Sequence, residues 1–236
     1  MKAIKWTSLL LASLLLVACS QEGSQEESQP KTEQTSSQNE DSKSASKDNS
    51  KDKNVQSNGS YYYVKGKYQD ILVVNKRYPL SEDYNPGEDP EAKASLLELI
   101  SDMQKAGYPI SDSYSGFRAY STQKDLYDAY VAKDGKAQAD RYSARPGFSE
   151  HQTGLAYDVI DTSGNLVTEE KASQWLLDHA ADYGFVVRYP EGKEKVTGYM
   201  PESWHLRYVG KEAKDIAKSG KTLEEYYGFS GGDYQD

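Results

Sequence analysis

Apolar residues in this chain form one dense run, then a long gap, then a series of short patterned blocks. The run is Leu9-Leu10-Leu11-Ala12-Ser13-Leu14-Leu15-Leu16-Val17-Ala18, preceded by Lys2 and Lys5. The gap, from Ser20 to about Gly59, is made of Ser, Gln, Glu, Lys, Asn and Asp, with Ala45 and Val55 almost alone as apolar residues. Patterned blocks begin near Tyr61-Tyr62-Tyr63-Val64. Ile71-Leu72-Val73-Val74 predicts a buried strand bounded by Asp70 and Asn75. Asp89-Pro90 predicts an N-cap with proline at the first helical position. Leu96, Leu99, Ile100 and Met103 then repeat at helical spacing up to a stop at Gly107.

Residues 114–120 read as a strand feeding a helix capped near Ser121 or Thr122, with Gln123, Leu126, Tyr127 and Tyr130 on one face. Ala156-Tyr157-Asp158-Val159-Ile160 predicts another strand. Thr168 is placed to cap a helix whose stripe holds Ala172, Trp175, Leu176, His179, Ala180 and Tyr183, closed by Gly184. On that stripe His179 reads as a packed core residue and stays outside any site. Residues 185–189 and 204–209 complete the strands, and two short helices close the chain. Helices and strands alternate irregularly, without βαβ repetition. The expected class is α+β, with a small, mostly antiparallel sheet flanked by helices.

An apolar run of about ten residues after basic residues predicts an export signal over 1–18, too short to span a membrane comfortably. Cys19 is the only cysteine, and Leu16-Val17-Ala18-Cys19 resembles a bacterial lipobox. That resemblance implies a diacylglyceryl group on Cys19, and two acyl chains suffice for stable anchoring. Residues 19–59 are then the lipidated cysteine and a disordered tether, too polar to offset the entropy of ordering. A coil of that length reaches about 35 Å, at ~5–6 Å per root residue. Residues 60–236 form the domain, enough chain for a single core. A net charge of −9 without a basic stripe argues against nucleic acid. Twenty tyrosines fit either carbohydrate stacking or amphipathic packing.

The candidate chemistry lies in Ser149-Glu150-His151-Gln152-Thr153-Gly154-Leu155-Ala156-Tyr157-Asp158 and in Glu202-Ser203-Trp204-His205. His151 and Asp158 converge only if the chain turns between them, and Thr153-Gly154 supplies a turn. A carboxylate rising from an apolar strand calls for a cation nearby. With His205 as third donor the set suits Zn²⁺, and three protein ligands leave one position open for water. Glu202 has the chemistry of a general base, and Arg118 that of an oxyanion or carboxylate holder. A surface glutamate and a surface salt bridge are the alternatives for these two.

Together, Ser-x-His-x-x-Gly-x-Ala-x-Asp over residues 149–158, Glu-x-Trp-His over 202–205 and Ser115-Gly116-Phe117-Arg118-Ala119-Tyr120-Ser121-x-Gln123 resemble zinc peptidases of the VanY/VanX type, D-Ala-D-Ala carboxypeptidases and dipeptidases with hedgehog-like domains as distant kin. Lipobox, tether and domain together resemble the LdcB/DacB group of L,D-carboxypeptidases. The resemblance implies a hedgehog/VanX-like fold and one Zn²⁺ per chain on His151, Asp158 and His205. It makes Glu202 the catalytic base and Arg118 catalytic or substrate-holding, with Gln123 and Ser149 as substrate contacts. Implied too are removal of the terminal D-Ala from peptidoglycan tetrapeptide stems, membrane attachment through the lipid on the outer face, and a monomer. D,D-carboxypeptidase action on pentapeptide stems and a non-catalytic, wall-binding zinc lipoprotein are the alternatives.

Overall fold

A computed structural model of the chain describes residues 52–235. The predicted export segment, Cys19 and residues 20–51 of the tether lie outside the described residues. Strands β1 (Gln56–Ser57), β2 (Tyr62–Lys65) and β3 (Asp70–Val73) form an antiparallel sheet in that order. The chain continues through α1 (Pro90–Lys105), β4 (Ile110–Ser115), α2 (Tyr120–Asp134), α3 (Lys136–Tyr142) and a 3-10 turn, Glu150–Thr153. Then come β5 (Ala156–Asp161), α4 (Glu170–His179), a second 3-10 turn (Ala180–Tyr183), β6 (Phe185–Tyr189), α5 (Glu194–Thr197) and β7 (Glu202–Tyr208). A third 3-10 turn leads into α6 (Ala213–Ser219) and α7 (Leu223–Tyr227). The second sheet has the order β4-β5-β7-β6, antiparallel throughout, so the class is α+β as expected.

The main core lies between this four-stranded sheet and two helices. Asp89 caps α1 by accepting from the Glu91 and Ala92 amides at 3.0 and 2.9 Å, with Pro90 at the first helical position. The apolar stripe of α1 (Ala92, Leu96, Leu99, Ile100, Met103) is buried against Tyr157, Val159, Phe185 and Leu206 of the sheet. Ala172 and Leu176 of α4 close the other side. Burying each large aliphatic side chain stabilises by about 1.5–3 kcal/mol, so this layer anchors one face of the sheet and leaves Asp158 and His205 on the other. A second core joins β2 and β3 to α6 and α7 through Val64, Ile71, Val73, Ala213, Ile216 and Leu223.

Three local expectations are corrected. Helix α2 starts at Tyr120 with Ala119 as N-cap, without a side-chain cap from Ser121 or Thr122. Helix α4 is capped by Glu169, whose carboxylate accepts from the Ala172 amide, and not by Thr168. His179 is exposed, with its ring against Trp175 at 4.6 Å and Nδ1 4.0 Å from Asp182. The buried line of α4 runs Ala172, Leu176 and on to Ala180 of the following turn at i+4 spacing, which leaves His179 at its solvent edge.

The domain also begins earlier than residue 60. β1 pairs with β2, and Val55 packs on the second core. Asp52 accepts from the Ser230 amide and hydroxyl at 2.8 and 3.0 Å and from the Tyr78 hydroxyl, and Asn54 donates to the Tyr227 carbonyl. These residues serve an edge strand and hydrogen bonds, so their composition is that of a linker although their contacts are not. A chain starting at Tyr61 is therefore expected to melt several degrees below one starting at Lys51, since charge-assisted bonds of this kind contribute about 1.5–3 kcal/mol each. Equal melting temperatures in calorimetry would show that residues 52–60 contribute nothing.

Candidate metal centre and active site

The register of the second sheet builds the centre of the site. Asp158 on β5 stands directly opposite His205 on β7, and Ser115 on β4 stands opposite Asp158 from the other side. Opposed residues of antiparallel strands share a face, so the aspartate and histidine are side by side by construction. His151 arrives from the 3-10 turn before β5. Gly154 closes that turn at φ +72°, its amide donating to the His151 carbonyl at 3.2 Å. A Cβ at this position would sit 1.9 Å from the Gly87 carbonyl oxygen, so the bend requires glycine for conformation and for space. The bend returns His151 over Asp158.

His151 Nε2 lies 3.2 Å from Asp158 Oδ2, and His205 Nδ1 lies 3.0 Å from Asp158 Oδ1. The donor atoms of all three residues are within 4.8 Å of one another, and all three residues are buried. Each imidazole is oriented from behind. The outer nitrogen of His151, Nδ1, is 2.8 Å from the Gly116 carbonyl, and that of His205, Nε2, is 3.2 Å from Glu150 Oε2. A carbonyl or carboxylate only accepts, so the outer nitrogens carry protons, and the inner nitrogens, which face the equally donor-less Asp158, need a proton or a metal cation between them and it. Asp158 Oδ1 is buried with no aligned hydrogen-bond donor, despite its approach to His205. An orphaned carboxylate oxygen facing two imidazole nitrogens fits a divalent cation, and the His/Asp/His donor set is one that suits zinc.

The field at this point favours positive charge. A proton on His205 is held up to about 10: burial opposes it, and the Asp158 and Glu150 carboxylates, which accept from the ring, outweigh burial with Glu202 adding to them, so a metal cation is favoured in place of the inner proton. Burial pulls the Asp158 carboxyl upwards, but the two histidines hold it below the ordinary range. Glu202 Oε2 stands 3.6 Å from His205 Nδ1. Burial pushes its carboxyl up to about 7, reinforced by Asp158 and Glu150 and opposed by His205 and Arg118. A carboxyl near neutrality beside a three-donor centre suits proton transfer in both directions.

Behind His205 lies a buried ionic lattice. Glu150 Oε1 accepts from Arg188 Nε at 2.7 Å and Arg207 Nη1 at 3.0 Å. Arg188 also forks onto Glu224 at 2.9 and 2.6 Å, and Arg207 Nη2 donates to the Leu72 carbonyl of β3 at 2.8 Å. A register shift between Val187 and Tyr189 lets successive residues of β6 serve the same region. Arg188 reaches Glu150 while the Tyr189 ring lies 4.9 Å from that of His205.

A cavity of about 250 Å³ opens onto His151, Asp158, Glu202 and His205, and Arg118, Gln123 and Ser149 also line it. Arg118 Nη1 donates to Gln123 Oε1 at 2.9 Å and Nη2 to Ser115 Oγ at 3.1 Å, so the guanidinium is aimed from two sides. Gln123 is itself buried, and its Nε2 donates to the Ala144 carbonyl at 2.6 Å. Its amide thus locks Arg118 to the segment after α3. Every predicted metal, base, arginine and substrate position therefore meets in one cavity. Sequence reading passed over Glu150, Arg188, Arg207, Glu224 and Tyr189. The signal for them was an arginine set among apolar residues in each of two strands, Val187-Arg188-Tyr189 and Leu206-Arg207-Tyr208, which demands a buried carboxylate partner.

Three donors facing an open side, a near-neutral carboxyl beside them and a fixed guanidinium across the cavity define a metallohydrolase. Residues 87–211, more than half of the chain, match the VanY family, described as D-alanyl-D-alanine carboxypeptidase, and the chain belongs to that family. It is 37% identical over 182 residues to the putative carboxypeptidase YodJ of Bacillus subtilis, a match covering 66% of each protein, just under two thirds of that relative's length. Among solved structures, the L,D-carboxypeptidase DacB of Streptococcus pneumoniae is similar at 73% identity and a TM-score of 0.75, covering 76% of this chain and 98% of that one. A D,D-pentapeptidase VanY from a VanB-type resistance cassette, solved in complex with Zn(II), is similar at 33% identity and a TM-score of 0.56, covering 65% and 96%.

Two substitutions test this construction. Gly154→Ala is expected to lower stability by about 2–4 kcal/mol and to weaken metal binding, because both conformation and space forbid the methyl. Denaturant unfolding that matches the parent would refute the requirement. Glu150→Gln removes the charge that balances two buried arginines and the orienting partner of His205. It should cost about 3–5 kcal/mol of stability and about 10–100-fold in zinc affinity, measured by chelator competition. Unchanged affinity would mean that His205 is oriented by something else.

Proposed function

We propose that this protein is a zinc-dependent L,D-carboxypeptidase that removes the terminal D-Ala from peptidoglycan tetrapeptide stems. The observation that carries the reading is 73% identity to an L,D-carboxypeptidase over 98% of that protein's solved chain, joined to a complete three-donor centre with Glu202 beside it. His151, Asp158 and His205 hold the zinc in this reading. When bound, the metal supplies Lewis acidity towards a carbonyl oxygen and makes a neighbouring water acidic near neutral pH. Glu202 takes the proton from the attacking water and delivers it to the departing amine of D-Ala. Arg118, steadied by Gln123 and Ser115, offers its fork to negative charge, either on the reacting carbonyl oxygen or on the stem's terminal carboxylate. Ser149, buried at the cavity wall, contacts the substrate.

The proposal includes export over residues 1–18, lipidation of Cys19 and anchoring of a monomer to the outer face of the membrane. A tether from residue 20 to about 51 then carries the domain towards the wall. D,D-carboxypeptidase action on pentapeptides is the second reading, favoured by the family's description and by the D,D-pentapeptidase relative. A purely wall-binding role leaves Glu202, half-buried beside the open centre, without a use.

Glu202→Gln is expected to retain about one zinc per chain by elemental analysis while D-Ala release falls by about 10²–10⁴-fold. Near-parental release by that variant would refute the mechanism. Mass spectrometry of products from tetra- and pentapeptide stems decides the specificity: a tripeptide from the tetrapeptide supports the L,D reading, and turnover of the pentapeptide alone replaces it with the D,D one.

A further inference from the structure

A larger cleft, about 950 Å³, adjoins the catalytic cavity and has no part in the chemistry described above. Its wall is shared with that cavity. Pro201 lines both, Arg141 and Arg145 of the cleft flank Tyr142, Ser143 and Ala144 of the cavity, and the Met200 amide donates to the Arg141 carbonyl at 2.9 Å. The catalytic cavity, at about 250 Å³, is smaller than the roughly 300–1,000 Å³ of a usual small-ligand site and takes only the end of a chain. The remainder of a polymeric substrate must leave across the surrounding surface, and the larger cleft is the neighbour that shares Pro201 with the cavity.

The cleft is built around one cation. Lys76 is 4% exposed and yet lines the cleft. Its Nζ sits over the rings of Tyr199 and Tyr234 at 4.7 and 5.1 Å, and no carboxylate lies within ion-pair distance among the described residues. Its stem runs over Gly198, where a Cβ would come within 2.9 Å of Lys76 Cδ and 2.2 Å of the Gly232 carbonyl oxygen. Three acids line the cleft with it and favour its charge from beyond ion-pair distance. Asp140 accepts from Arg145 at 3.0 and 2.9 Å and from Tyr127, Glu194 accepts from Arg141 at 2.8 and 3.0 Å, and Asp233 is exposed. Burial lowers the Lys76 ammonium from its ordinary value, as expected of a cation short of partners. In a chain of net charge −9, this cleft holds four basic side chains against three acidic ones.

We propose that the cleft is a second substrate subsite, in which Lys76 binds a carboxylate carried by the peptidoglycan stem on the acyl side of the scissile bond, an inference that rests on the carboxypeptidase reading above. Reach agrees with this. Lys76 Nζ is linked to the His205 ring through Tyr199 and Tyr189 by contacts of 4.7, 5.0 and 4.9 Å. These contacts cap the separation at about 15 Å, and an acyl side of three residues at about 3.3–3.6 Å each falls inside that cap. A buried ammonium with aromatic faces on two sides leaves its third side for an anion, which aromatic rings alone do not satisfy.

The test uses the zinc-loaded full chain and two tetrapeptide stems that differ only at their second residue, γ-D-glutamate with a free carboxylate or γ-D-isoglutamine with a carboxamide. The parent protein is expected to prefer the carboxylate stem by about tenfold in kcat/KM, the worth of one charge-assisted bond. Lys76→Met should bring that preference to about one, and Lys76→Arg, which keeps the charge, should retain most of it. Because the readout is a ratio within one protein, a general loss of folding does not mimic it. Equal rates on both stems by the parent, or a preference unchanged in Lys76→Met, would overturn the subsite while leaving the carboxypeptidase reading intact. Lys76-dependent binding of inorganic phosphate without any stem preference would assign the cleft to a free anion and likewise overturn it. Release of D-Ala from neither stem would overturn the parent reading and the subsite together.

Discussion

Glu150 is the group on which the rest of this structure turns. One of its oxygens is held by two arginines and the other by the outer nitrogen of His205. A buried ion of this kind contributes little net stability against an apolar replacement, and removing any member leaves an uncompensated charge in low dielectric. What it provides is specificity of arrangement. The lattice reaches β3 through the Leu72 carbonyl, α7 through Glu224 and the loop after β3 through Asn75. The small N-terminal sheet and the C-terminal helices are thereby tied to the imidazole that completes the centre, although neither touches the centre itself.

The same economy appears on the opposite side of the cavity. Arg118 is fixed by Gln123 and Ser115, and its backbone amide donates to the His151 carbonyl at 3.1 Å. The Gly116 carbonyl meanwhile orients the His151 ring. One short segment between β4 and α2 therefore sets both a metal-facing histidine and the guanidinium that faces the substrate. Sites held on strands and by such bonds are preorganised, and hydrolysis of an amide gains most from charges that need no rearrangement as the reaction proceeds. The tyrosines add a second kind of support. Tyr189 and Tyr199 run from His205 towards Lys76 with rings at 4.9 and 5.0 Å spacing.

Much of this was legible along the chain. The helical spacing in α1, the apolar runs of β3, β5 and β6 and the glycine bend before Asp158 depend on neighbours within a few residues, where periodicity and turn chemistry act directly. His151, Asp158, His205, Glu202 and Arg118 stood out because each is chemically costly in its local setting. Misplaced were features that depend on partners far along the chain. Residues 52–59 look like linker because they contribute edge-strand and hydrogen-bonding groups to a sheet whose other strands lie beyond them. His179 looked internal because a stripe counted at helical spacing ignores the exact rotation of a short helix that passes into a 3-10 turn.

The sequence by itself determined the donor types, the bend that brings two of them together and the class of chemistry they support, since those are properties of side chains and of local backbone freedom. Only the tertiary structure decided how the donors are held. The opposition of Asp158 and His205 is a matter of strand register, and the pairing of Glu150 with Arg188 and Arg207 joins positions 38 and 57 residues apart. Likewise, the cleft around Lys76 gathers residues from near both ends of the described chain. Burial sets the strength of all these interactions, by removing the water that would otherwise screen each charge, and burial is a property of the assembled fold.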